Sequence, residues 1–131
     1  MIDVERDDIC ALCGKYTENI QHLFFYCEKS LQLLSNLGTF ILNKIDETVN
    51  FDMFTVVFEY TANYSHPINL IILLTKYYIY TSAKSKRVPN IFALQHLLKD
   101  MFEIEETIAL KNMNLNNFEK AWRKWKRLFS N

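Results

Sequence analysis

From residue 28 onward the apolar positions of this chain return every three or four residues. Leu31, Leu34, Leu37, Ile41 and Ile45 fall at that spacing, and Leu33, Phe40 and Leu42 widen the stripe. The pattern predicts an amphipathic helix over about 28–45. Gly38 lies inside it, costs about 1 kcal/mol relative to Ala, and marks a place to bend. Asp46 to Asn50 is polar and reads as a turn. Phe51 to Tyr60 is ambiguous: its Val and Phe favour a strand, while Asp52 can cap a short helix through Phe54, Val57 and Phe58. Helix is the reading adopted there, followed by a loop to Ser65.

Pro67 suits the first turn of a helix, capped by Ser65 or His66. From Ile68 to about Ala83 the pattern is apolar on nearly all sides, which predicts the central buried helix. Tyr77, Tyr78 and Tyr80 are assigned to its core packing. Lys84, Lys86 and Arg87 close it, where cations are favoured, with phosphate contact as their second role. Pro89 opens the next helix, which runs to about Lys111 with Phe92, Leu94, Leu97, Leu98, Met101, Phe102 and Ile104 inward. After an Asn-rich break, a last helix spans about Leu115 to Phe129. The predicted fold class is all-α. A polar tail and small knuckle occupy residues 1–27, and about five helices over 28–131 pack with them as one structural unit.

Composition agrees with a globular helical protein. Of 131 residues, 50% are hydrophobic and 15% aromatic, which supplies a core and argues against disorder. Two Gly and two Pro are too few for the turns of a sandwich or barrel. They also leave no material for a phosphate-cradling Gly loop, and no Ser-His-Asp spacing or carboxylate pair stands out. The opening MIDVERDDIC lacks the apolar stretch of a signal peptide. The apolar run 68–80 is shorter than the roughly 20 residues that cross a bilayer. An intracellular protein, in cytoplasm or nucleus and without a membrane role, is the expectation. The formal charge of zero conceals an asymmetry: residues 1–65 carry four Lys/Arg against ten Asp/Glu, and residues 66–131 carry eleven against five. The second half can therefore face a polyanion.

All three cysteines fall in CALCGKYTENIQHLFFYC. Cys10 and Cys13 are separated by two residues, His22 follows after eight more, and Cys27 after a further four. Zinc takes four such donors in a tetrahedron, and a tight turn aims a Cys-x-x-Cys pair at one ion. Gly14 suits that turn, where positive φ is often needed. An odd cysteine count without a secretory signal argues against a disulfide framework. A redox Cys pair belongs in a βαβ setting that this pattern lacks. A zinc deaminase needs a Glu two residues after the His, and Phe24 stands there. One structural Zn2+ held by Cys10, Cys13, His22 and Cys27 is expected, with Leu23, Phe24, Phe25 and Tyr26 packing the knuckle onto the helices. The competing reading is a Cys pair beside an unrelated His and Cys. His66 and His96 are not expected as ligands.

Cys10, Cys13, Gly14, Glu18, His22, Leu23, Phe24, Phe25 and Cys27 together resemble the zinc-binding region that follows the reverse transcriptase domain of non-LTR (LINE-type) retrotransposon proteins. The run Ile71 to Tyr80 looks like the helix after that knuckle, and Phe118 to Trp122 looks like the end of such chains. The resemblance implies a non-catalytic accessory piece that assists binding of template RNA, with polymerisation done elsewhere. This chain departs from a whole family member in having no paired-Asp polymerase motif and no endonuclease region. It is read as a fragment or a stand-alone remnant.

A second candidate surface is residues 117–129. Phe118, Trp122, Trp125 and Phe129 share a helical face, and Lys120, Arg123, Lys124, Lys126 and Arg127 occupy the rest. One reading has the Trp stripe seal the core beneath a solvated basic face. The other has the cations meet phosphates while an exposed Trp stacks on an unpaired base. The functional expectation is RNA or other nucleic acid as partner, with the reverse transcriptase core or another protein as a further one. The alternative is a structural or protein-interaction zinc module without direct nucleic-acid binding.

Overall fold

The computed structural model describes residues 9–49, 51 and 67–129. The expectations for the polar tail, for 52–60, for the loop after it and for the cap at His66 lie outside the described residues. The described chain is all-α, with four α-helices: α1 (Glu28–Ile45), α2 (Pro67–Lys84), α3 (Ile91–Lys111) and α4 (Leu115–Trp122). A π-helical turn at His22–Tyr26 precedes them, and a 3-10 turn at Trp125–Phe129 follows. Among the described residues the sole β pairing is an isolated bridge between Ile9 and Thr17.

One core joins these elements. Leu33, Leu37 and Ile41 of α1 meet Ile68, Ile71, Ile72 and Ile79 of α2, Leu94 and Leu98 of α3, and Trp122, Trp125 and Leu128. Cys10, Cys27 and Leu23 belong to the same cluster, so the knuckle is built into the helical body.

Helix ends follow local chemistry. Asn90 caps α3, its side-chain oxygen accepting from the N–H groups of Phe92 and Ala93 at 2.7 and 3.2 Å. The helix therefore starts after Asn90, two residues beyond the expected opening at Pro89. The C-termini of α2 and α3 close in the same way. The Arg87 N–H reaches the Ser82 carbonyl and the Lys86 N–H that of Ala83, which is the Schellman pattern. Asn114 and Met113 repeat it on Ala109 and Leu110. The left-handed residue is Lys86 (φ 56°) in one case and Met113 (φ 55°) in the other, where Gly is usual.

Five expectations are corrected. The last helix does not reach Phe129: α4 ends at Trp122 and a 3-10 turn takes over. A 3-10 turn aligns residues three apart, and the buried Trp122, Trp125 and Leu128 have that spacing. In α3, Leu94 and Leu98 are buried, but Phe92, Leu97 and Ile104 are exposed, because one narrow strip of that helix meets its neighbours. In α1, Leu31 and Leu42 are likewise exposed at the stripe's edges. Helix α2 is not enclosed on all sides; its outer face presents Leu73, Tyr77 and Tyr80. Of the tyrosines assigned to packing, Tyr78 alone is half-buried, its hydroxyl accepting from the Asn90 N–H at 2.9 Å.

Candidate metal centre

Three local structures carry four donors to one place. The first is a turn: the Gly14 N–H donates to the Cys10 carbonyl at 2.8 Å, and the Cys10 N–H to the Tyr16 carbonyl at 2.7 Å. Gly14 sits at φ 68°, the left-handed conformation that its position after Cys13 led us to expect. Glu18 reaches back from the far side, its carboxylate accepting from the Ala11 N–H at 3.1 Å. The Ile9–Thr17 bridge closes the base of the loop.

The second is the π turn. Asn19 starts it, its side-chain oxygen accepting from the His22 N–H at 2.8 Å. The Cys27 N–H then donates to the His22 carbonyl at 2.7 Å, a bond spanning five residues. In an ordinary α-helix, residues five apart point about 140° away from each other. The wider turn closes on the fifth residue instead, and brings the His22 ring and the Cys27 thiol to one side. The third is the start of α1, where Cys27 is the N-terminal boundary residue with extended backbone (φ −71°, ψ 123°).

The donor atoms of Cys10, Cys13, His22 and Cys27 all lie within 4.8 Å of one another. Cys10 Sγ and Cys27 Sγ are 3.8 Å apart, and Cys13 Sγ is 3.3 Å from His22 Nε2. Cys10, Cys27 and His22 are buried, while Cys13 sits at the rim. Such a cluster of three sulfurs and one imidazole nitrogen can hold a metal ion. Without the ion, burial drives the Cys10 thiol up to about 11. Cys13 is pulled down to about 7: desolvation opposes this, but the Lys15 N–H and the His22 ring favour its thiolate and win.

Leu23 and Phe25 are buried and Phe24 is half-buried, so they anchor the knuckle as expected; Tyr26 is exposed and does not. Pattern reading passed over Asn19 as a positioning residue, although an Asn three residues before a ligand is a recognisable capping signal. His96 is exposed and remote from the cluster in sequence.

The basic residues are distributed differently. Lys84, Lys86, Arg87, Lys120, Arg123, Lys124, Lys126 and Arg127 are all exposed. Lys124 folds back onto Glu47 as an ion pair and lies 5.9 Å from the centroid of the Trp125 ring. Lys126 and Arg127 border a shallow recess with Lys99, Glu103 and Glu106. Trp122 and Trp125 are 2% and 6% exposed, so neither can stack on a base; the core-sealing reading of that stripe is the correct one. Phe102 of α3 stacks on Phe129 at 5.1 Å and meets the Trp122 ring edge-on at 5.1 Å. Among the described residues, no helix is long and apolar enough to cross a membrane. Comparison with protein-family models, curated proteins and solved structures finds no match to this chain.

Proposed function

We propose that this protein is a non-catalytic, zinc-dependent nucleic-acid-binding module of the kind that accompanies a retroelement reverse transcriptase. The observation that carries the reading is the convergence of Cys10, Cys13, His22 and Cys27 within 4.8 Å. In a tetrahedron with zinc–sulfur bonds of about 2.3 Å, two sulfurs stand about 3.8 Å apart. The Cys10–Cys27 separation is 3.8 Å. A sulfur and an imidazole nitrogen would stand about 3.5 Å apart; Cys13 and His22 are at 3.3 Å. Four protein donors close the coordination sphere to substrate, so the ion serves the fold. The basic second half and its exposed cations support polyanion binding, which must weaken steeply with salt.

Metal analysis of the purified, reduced protein tests the first part. About one zinc per chain is expected, lost in Cys27→Ser. Absence of zinc from a folded protein overturns the reading. Single-stranded RNA binding by the zinc-loaded protein tests the second part, and undetectable or salt-independent binding removes it.

The Lys124–Glu47 ion pair favours a second reading. There a cation of the carboxyl end is spent on the acidic half of the same chain, as in a structural or protein-interaction module. Single-stranded RNA binding by the folded, zinc-loaded protein distinguishes them, and replacing Arg123, Lys124 and Arg127 together then tells whether the carboxyl end carries it.

A further inference from the structure

We propose that the outer face of α2 is a stacking platform for unpaired nucleic acid, with Tyr77 and Tyr80 receiving bases and Lys84, Lys86 and Arg87 receiving phosphates. This rests on the nucleic-acid reading above and moves its centre away from residues 117–129.

The exposed side chains of α2 form a line. Leu73, Tyr77, Tyr80 and Lys84 are spaced by four, three and four residues, which places them on one face. Ile71, Ile72, Thr75 and Ile79 are buried on the opposite face. Tyr77 is 63% exposed and Tyr80 is 49% exposed. Two half-free rings one turn apart offer successive π-faces, the feature that single-strand binders use without reading sequence. Trp122 and Trp125, the other aromatic candidates, are sealed inside.

The charge along α2 and the residues that follow it has one sign. Residues 67–90 contain Lys76, Lys84, Lys86 and Arg87 and no Asp or Glu. Lys84 Nζ stands 5.4 Å from the Tyr80 ring centroid, so a cation already borders the aromatic surface. The end of a helix carries only about half a negative charge, which three cations there outweigh. By contrast, Lys126 and Arg127 share their recess with Glu103 and Glu106.

The strap between α2 and α3, residues 85–90, bears Lys86 and Arg87 and is held in place. Its Schellman bonds fix Lys86 and Arg87 against the end of α2. At its far end the Tyr78 hydroxyl accepts from the Asn90 N–H at 2.9 Å and faces the Asn90 carbonyl at 3.3 Å. Tyr78 thus ties the strap to the turn of α2 that also carries Tyr77 and Tyr80. A polyanion with flat, exposed rings complements this combination. An acidic peptide would match the charge and leave the tyrosine faces unused.

The test uses the full-length, zinc-loaded protein and fluorescence anisotropy with a short single-stranded RNA and its duplex. Wild type should prefer the single strand. Tyr77→Ala with Tyr80→Ala should weaken single-strand binding about tenfold or more, and Tyr77→Phe with Tyr80→Phe should leave it intact, since stacking needs the ring. Lys86→Gly removes a cation while relieving a left-handed residue. It should melt higher than wild type, yet bind RNA more weakly with a salt slope lower by about 0.7. Retained affinity in the double Ala variant, with loss in the Arg123, Lys124 and Arg127 variant, overturns the platform and leaves the nucleic-acid reading standing. Competition by polyglutamate as effective as by RNA also overturns it. If wild type binds no RNA, both fall.

Discussion

At the amino end, Cys10, Cys13, His22 and Cys27 are drawn from a turn, a π turn and the start of α1 into one 4.8 Å cluster. At the carboxyl end, Phe118, Trp122, Trp125 and Phe129 also converge, but on Phe102 and the core. Both regions offer candidate functional residues at suggestive spacing, and only the first keeps its chemistry available. The difference lies in how many uses each residue type has. An indole has a ready structural use in burying area, and packing claims it. Three thiols and an imidazole converging without disulfides have little structural use except through an ion. Chemistry is therefore read more safely from donors that packing has no reason to gather.

The comparison can be broken most directly at Cys27. Cys27→Ser should abolish metal binding and lower stability on the order of 5 kcal/mol, since structural zinc supplies about 10–16 kcal/mol in finger peptides. Metal analysis and calorimetry measure both. An unchanged melting temperature would mean that the knuckle is ornamental to the helices. Trp122→Ala should cost about 3–5 kcal/mol by emptying an enclosed aromatic site, whereas Arg127→Ser beside it should stay within about 0.5 kcal/mol. Denaturant unfolding of the two variants sharpens the contrast between the interior and exterior of the same segment.

Acidity probes the amino end alone. Zinc binds thiolates, and in the metal-free protein Cys10 titrates at about 11 and Cys13 at about 7. Between these values Cys10 must give up a proton on binding, so apparent zinc affinity should rise about tenfold per pH unit from this group. Below about 7 Cys13 adds a further proton and the dependence steepens, so acid favours release. Competition with a chromophoric chelator across pH measures the slope; a flat profile would contradict thiolate ligation. A more modest effect belongs to the helix ends. Met113→Gly should stabilise by about 1 kcal/mol, because Met113 occupies a left-handed position with φ 55° and its side chain is exposed. A thermal shift reports it.

Some of this was legible in the residues. The 28–45 stripe marks α1 to its ends, because Leu33, Leu37, Ile41 and Ile45 repeat with the helical period and a polar stretch follows. The cluster of four candidate donors was legible because their spacing uses every cysteine in the chain. The orientation of α2 and α3 was not. An apolar run shows that a helix can be enclosed, but Leu73, Tyr77, Phe92 and Ile104 remain exposed, with none of the described elements covering them. The break after Trp122 carries no Gly or Pro signal. It arises from the tertiary demand that Trp122, Trp125 and Leu128 point the same way. The width of the turn at His22 was hidden too, since a five-residue ligand spacing says nothing about which backbone closes it.

That turn has a consequence for how the knuckle tolerates change over generations. Its five-residue bond makes the length of 22–27 count for more than its lettering. Exchanging Phe24 for another bulky apolar residue keeps imidazole and thiol in register. Deleting even the solvent-facing Tyr26 would swing Cys27 by roughly 100° and dissolve the grip. Drift in this protein should therefore appear as substitution within a fixed count of residues, with insertions and deletions displaced to either side.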